Sequence, residues 1–154
     1  MLSQIQCDKP ASFDFASRAR VWLCGNGGSA AVASHIANDL VKRGKPACAL
    51  VEPAILSCIA NDEGWERVFA GQIHVHCRPG DIVVTISSSG KSLNILNAAY
   101  AAREAGCELV TLSGFEAMNQ LRQLGSHNYY VPSFNYGIVE CAHLAILHSL
   151  AKPS

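Results

Sequence analysis

Two short loops and two helix faces hold the residues of this chain that can do chemistry. The first loop is Gly25-Asn26-Gly27-Gly28-Ser29, entered from the apolar run Val21-Trp22-Leu23 and left by a long amphipathic stretch. This reads as a strand, a glycine-rich turn and a helix start. Glycines in such a turn take backbone angles closed to other residues and let a ligand approach the main chain. The free N–H groups of a helix start favour an anion, most often phosphate, and Ser29 is placed to cap that helix through its hydroxyl. The same glycines serve equally as a tight corner with no ligand. Their spacing fits neither G-x-G-x-x-G nor the Walker pattern, so no nucleotide cofactor is expected. The second loop is Ser87-Ser88-Ser89-Gly90-Lys91-Ser92. Several hydroxyls beside the N–H groups of a helix start form a neutral anion cradle. A helix cap alone needs one serine. Lys91 either adds charge to the cradle or faces solvent.

The helix faces carry titratable groups. His35 and Asp39 stand four apart on the first long helix and share a face. Glu140 and His148 stand eight apart on the last helix. Two histidines and two carboxylates suit zinc or a similar divalent ion, and the same groups suit proton transfer. Glu140-x-x-His143 is another ligand pair on that helix. Nothing local brings the two helices together, and each histidine alone reads as a surface or hydrogen-bonded residue. His74, His76 and His127 show no partner pattern.

These groups need a scaffold, and the hydrophobic pattern supplies one. Strands are expected at Arg20 to Leu23, Ala47 to Val51, Ile82 to Ile86, Glu108 to Leu112 and Tyr129 to Pro132. Helices are expected at Ser29 to Arg43, Ala54 to Ala60, Trp65 to His76, after Ser92 with Leu93, Leu96, Ala99 and Tyr100 on one side, Phe115 to Leu124, and Gly137 to Ala151. Asn61-Asp62-Glu63-Gly64 reads as a polar loop, and Ala11 to Arg18 as about two helical turns. Alternating strands and helices imply a three-layer α/β/α sandwich with a mainly parallel five-stranded sheet. Ligands of such sheets bind beyond the carboxyl ends of the strands, where both special loops fall.

Composition narrows the function classes. The chain has 154 residues, 49% apolar and 16% charged, which fits one globular domain over 1–154 with a short N-terminal segment at 1–18. A formal net charge of zero gives no electrostatic reason to expect nucleic acid or an anionic membrane. The cysteines number seven, with no C-x-x-C pair, and most sit in apolar runs, which suits a reducing compartment. No signal peptide is readable and no apolar run approaches the roughly 20 residues of a membrane span, so the cytoplasm is the expected location.

Taken in order, Gly25-Asn26-Gly27-Gly28-Ser29-Ala30-Ala31 with His35, then Ala60-Asn61-Asp62, Arg78-Pro79-Gly80-Asp81 and Ile86-Ser87-Ser88-Ser89-Gly90-Lys91-Ser92 resemble the sugar isomerase (SIS) domain. The resemblance runs from about residue 20 to the end and is strongest to the phosphoheptose isomerase branch. It implies aldose–ketose isomerisation of sedoheptulose 7-phosphate to D-glycero-D-manno-heptose 7-phosphate through an enediol, a precursor step for surface polysaccharide such as lipopolysaccharide. It implies phosphate binding by Ser87, Ser88, Ser89 and Ser92, and substrate contacts from Asn26, Gly27, Gly28, Asn61, Asp62 and Glu140. It implies one zinc ion per subunit on His35, Asp39, Glu140 and His148, with Asp39 and His148 as the catalytic proton-transfer pair. It also implies a homo-oligomer, a tetramer or dimer.

The sequence departs from the family at the catalytic end. Asp39 replaces a glutamate, which shortens the carboxylate by one methylene, and misplacement on the order of 1 Å can cost roughly a hundredfold in rate. Glu140 replaces a glutamine and adds negative charge, which tightens a divalent metal and repels an anionic intermediate unless the metal is bound. Asn135 stands where the family has an aspartate. The family also has a longer N-terminal helix in its tetramer core, whereas 24 residues precede Gly25 here. The competing readings are an isomerase of another long phosphorylated sugar and a non-catalytic SIS module that binds a sugar phosphate or a protein partner. Retention of His35, His148 and a carboxylate at position 39 favours chemistry.

Overall fold

The computed structural model describes residues 6–7, 15 and 19–151. Their elements are β1 (Gln6–Cys7), β2 (Val21–Gly25), α1 (Gly28–Lys42), β3 (Ala47–Ala49), α2 (Pro53–Asp62), α3 (Ala70–His76), β4 (Ile82–Ser87), α4 (Leu93–Glu104), β5 (Glu108–Ser113), β6 (His127–Tyr130) and α5 (Tyr136–Leu150), with single 3₁₀ turns at Trp65–Arg67 and Leu121–Gln123. One sheet runs in the order β1-β6-β5-β4-β2-β3. Its five longer-range partners β3, β2, β4, β5 and β6 are parallel, as the pattern implies, and β1 adds an antiparallel edge pair, Gln6↔Tyr130 and Cys7↔Tyr129. The two turns expected at Ala11 to Arg18 fall largely outside the described residues.

Side chains alternate across a strand, and the alternation builds two cores. Val21, Leu23, Ile82, Val84, Ile86, Val110 and Leu112 pack under α1 and α5 with Ile36, Leu40, Val139 and Leu147. Cys24, Val83 and Leu109 face the other way and pack with α3 and α4 through Ile73, Ile95, Ala98 and Ala102. Burial pushes the Cys24 thiol up, and it pushes Cys77 up to about 12, so both behave as small hydrophobes. No helix among the described residues is long and apolar enough to cross a membrane.

Several local expectations change. The stretch 115–124 forms no α-helix, only the single 3₁₀ turn at Leu121–Gln123. Phe115 takes a left-handed φ of 57°, and the backbone N–H groups of Phe115 and Leu121 bond away to Ser133 and Gly90. The stretch from Trp65 to His76 breaks into a 3₁₀ turn and α3. On α4 the buried face is Asn94, Ile95, Leu96, Ala98, Ala99, Ala101 and Ala102, whereas Leu93 and Tyr100 are exposed. Asn61 and Asp62 belong to the last turn of α2, and the loop begins only at Glu63. Finally, α1 starts one residue early, with Gly27 (φ 54°) as its cap and no side-chain capping bond, so the buried Ser29 does not cap it.

Candidate active site

The parallel register of β2, β4 and β5 aligns Gly25 with Ile86 and Ser87 with Ser113. The glycine turn and the serine loop therefore leave the sheet side by side at its carboxyl end. Reciprocal amide bonds tie them together: Asn26 Nδ2 donates to Asn94 Oδ1 (3.0 Å) and Asn94 Nδ2 to Asn26 Oδ1 (2.9 Å). Between them lies a cavity of about 170 Å³ lined by Asn26, Ser29, Ile86, Ser87, Ser88, Ser89, Ser92, Tyr136 and Glu140. Asn94 and Tyr136 carry no signal in the sequence pattern; only the fold brings them here.

The serine loop is largely self-bonded. Ser87 Oγ accepts from Gly90 N (3.2 Å) and donates to Ser92 Oγ (3.4 Å). Ser89 Oγ accepts from Lys91 N (3.2 Å). Ser88 Oγ is buried with no hydrogen-bond partner. A buried hydroxyl left unpaired costs free energy unless something pairs with it, so Ser88 Oγ is the hydroxyl of this loop with bonding capacity to spare. Lys91 points away and pairs with Glu116 at the surface (2.9 Å). The loop thus turns its serines, and not the Lys91 charge, toward the cavity.

A second cluster forms where α1 and α5 run side by side. His148 Nδ1 lies 3.3 Å from Asp39 Oδ2, and His35 Nε2 lies 3.6 Å from the same oxygen. The two imidazole rings meet edge to face at 5.1 Å. One ligand atom from each of His35, Asp39 and His148 falls within a mutual 4.8 Å, a donor set that can hold a divalent ion. All three side chains keep some exposure, Asp39 least at 19%.

Glu140 does not join that cluster. Eight residues advance a helix by about 12 Å and turn it by roughly 80°, so His148 and Glu140 serve different places on α5. The Glu140 carboxylate instead lies over Gly28, where a Cβ would collide with it, and lines the serine cavity. His143 corrects the Glu140-x-x-His143 pairing. It points into the core, fully buried, with its Nε2 3.1 Å from Ser113 O. Burial pushes its imidazole down to about 4, against a smaller opposing pull from that bond. Asn61 and Asp62 are exposed, bonded to each other (2.8 Å), and line neither the serine cavity nor the cleft of about 440 Å³ on the other side of Gly27. Asn135 caps α5 by accepting from Ile138 N (3.1 Å). The remaining histidines have structural partners: His74 with Glu104, His76 stacked on Trp22, and His127 with Glu108. A larger cleft of about 480 Å³ at the opposite end of the sheet, lined by Arg20, Trp22, Lys45 and Cys48 among others, touches none of these groups.

Comparison with known proteins agrees with this geometry. A SIS-domain family model matches residues 15–114. The phosphoheptose isomerase of Roseiflexus sp. (strain RS-1) is 40% identical over 145 residues, covering 90% of this chain and 73% of its own. The phosphoheptose isomerase of Aliarcobacter butzleri (strain RM4018) is 36% identical, covering 86% and 74%. The solved structure of phosphoheptose isomerase GmhA from Neisseria gonorrhoeae superposes with a TM-score of 0.82 at 31% identity, covering 86% of this chain and 73% of that one.

Proposed function

The chain belongs to the SIS-domain family, in its phosphoheptose isomerase branch, and we propose that it interconverts sedoheptulose 7-phosphate and D-glycero-D-manno-heptose 7-phosphate through an enediol. The phosphate sits on Ser87, Ser88, Ser89 and Ser92, where the unpaired Ser88 hydroxyl gains a partner. Asn26, Gly27, Gly28 and Glu140 contact the sugar chain next to it. The whole chain acts as one SIS unit.

Isomerisation then needs one base and one acid. Asp39 takes the proton from the carbon next to the carbonyl, and a ring N–H of His148 gives its proton to the carbonyl oxygen, which forms the enediol. In the second half the hydroxyl proton of the former neighbouring carbon returns to His148, and Asp39 delivers its proton to the former carbonyl carbon. The observation that carries the reading is the convergence of His35, Asp39 and His148. A phosphate cradle alone binds a sugar phosphate; a carboxylate held between two imidazoles moves protons. The same three groups suit zinc, with His35 and His148 as nitrogen donors and Asp39 as oxygen donor. When bound, such an ion would polarise the carbonyl and stabilise the negative charge of the enediolate. A cytoplasmic homo-oligomer that supplies a surface-polysaccharide precursor completes the proposal.

One observation favours a second reading. The Glu140 carboxylate lines the serine cavity and, unless a cation is bound, repels an anionic enediolate, which disfavours turnover and favours a non-catalytic binding module. Elemental analysis of protein purified without chelator or affinity tag, with an assay of the same sample on sedoheptulose 7-phosphate, tests both. About one zinc per chain with turnover is expected. Metal with turnover only of another phosphorylated sugar moves the substrate assignment. Tight binding with neither metal nor turnover leaves the binding module.

A further inference from the structure

We propose that Asn119 is the positioning residue of the serine loop: it sets the loop's shape for a phosphate that it does not itself touch. The inference rests on the phosphate reading of Ser87, Ser88, Ser89 and Ser92 given above. Asn119 is 1% exposed and stands outside the cavity lining. Its Nδ2 donates to Ser113 Oγ (3.1 Å), Gly114 O (3.2 Å) and Glu116 O (2.8 Å), and its Oδ1 accepts from Arg122 N (3.0 Å). Acceptors on one side and a donor on the other fix which way the amide points.

That locked amide is the wall against which the serine loop rests. Gly90 has φ +63°, and a Cβ there would fall on Asn119 Oδ1 and Cγ. Two backbone bonds complete the grip: Leu121 N donates to Gly90 O (3.1 Å) and Gly114 N to Ser88 O (2.9 Å). Segment 114–122 thus holds the loop at Ser88 and Gly90, and Asn119 folds that segment onto itself. The effect reaches the hydroxyls through Gly90, whose N–H donates to Ser87 Oγ, which in turn donates to Ser92 Oγ. A glycine at positive φ moves freely unless its neighbours hold it, and an anion gains most from donors already in place before it arrives. Ser87, Ser88 and Ser92 therefore depend on a side chain one loop away.

The test uses the full chain with Asn119→Ala and Asn119→Asp. Aspartate keeps the shape and the bond from Arg122 N but loses the donor and faces three oxygens. Calorimetric titration with inorganic phosphate gives the anion affinity, and KM and kcat are measured with sedoheptulose 7-phosphate. Asn119→Ala is expected to weaken phosphate binding and raise KM by roughly tenfold each, with a smaller fall in kcat. Asn119→Asp should weaken both at least as much. A merely structural role lowers the melting temperature but leaves the phosphate affinity of the folded protein untouched, and that result overturns the inference. So does a fall in kcat at constant KM. Should Asn119→Ala not fold, Asn119→Asp decides by the same phosphate titration. If the wild-type chain itself binds no phosphate, the reading of the serine loop falls and takes this one with it. Wild-type binding that both variants retain brings down the role of Asn119 alone.

Discussion

His143 shows how much a single side chain's surroundings decide. It shares a helix with His148, yet one is sealed in the core and the other stands half-exposed beside Asp39. Its pKa falls to about 4 in the fold, against roughly 6.5 in an unfolded chain. As pH drops through 6.5 the unfolded state takes up the proton first, so stability is lost between about pH 6.5 and 4 and levels below that. The loss amounts to at most about 3 kcal/mol. His143→Gln keeps an N–H donor for Ser113 O and cannot titrate. The difference in denaturant-unfolding free energy between wild type and His143→Gln should therefore change across this window and be flat above pH 7. A constant difference from pH 4 to 7 would show that His143 is not held neutral. The sequence pattern does not separate the two histidines, because five residues on a helix move a side chain through about 140° and the pattern alone does not say which face meets the sheet. His35 and Asp39 are legible because a spacing of four keeps them on one face. Glu140 is legible as a polar residue of α5, but its partner is settled by how α5 lies on α1.

At the scale of elements, the buried strands read easily and the glycine turn reads in type but not in detail. Strand β4 is buried along its whole length, and its β-branched run announces it. The stretch 115–124 has helix-compatible residues, yet Asn119 spends its amide on loop carbonyls, a competition that short-range pattern does not reveal. The corner between β2 and α1 is a tight junction. An alanine at Gly25 would put its Cβ 2.7 Å from the backbone carbonyl of Ser29, and a backbone atom has no rotamer with which to yield. Gly25→Ala must push the first turn of α1 away and break the bond from Ser29 N to Asn26 O (3.0 Å). The cost is about 2 kcal/mol, equivalent to roughly 6 °C in melting temperature. Because Asn26 moves with the turn, its amide pair with Asn94 should fail as well, and KM for the sugar phosphate should rise. Thermal unfolding followed by circular dichroism checks the first effect, and an unchanged transition would mean that the corner has slack absent from this geometry.

At the scale of the molecule, α2 is the element that one chain leaves unexplained. It is apolar along most of its length, yet none of its described residues is buried, and Ile55 is 39% exposed. The neighbouring Trp65 is 53% exposed. Asn61 and Asp62 end this helix, matched to substrate contacts by family resemblance, but among the described residues their side chains bond to each other and to Cys58. A second copy packed on α2 would cover the apolar side chains and could carry the Asn61–Asp62 pair toward a site. Light scattering should then give a dimer or tetramer at working concentration. Ile55→Asp puts a charge on the exposed face of a helix that contributes nothing fully buried, so the fold should survive with an unchanged circular-dichroism spectrum. The mass should shift toward the monomer, because an unpaired carboxylate buried at an interface is costly, and turnover should fall with it. A wild-type monomer would remove the oligomer from the proposal. An oligomer that survives Ile55→Asp with full activity would place the interface elsewhere and leave Asn61 and Asp62 outside the chemistry.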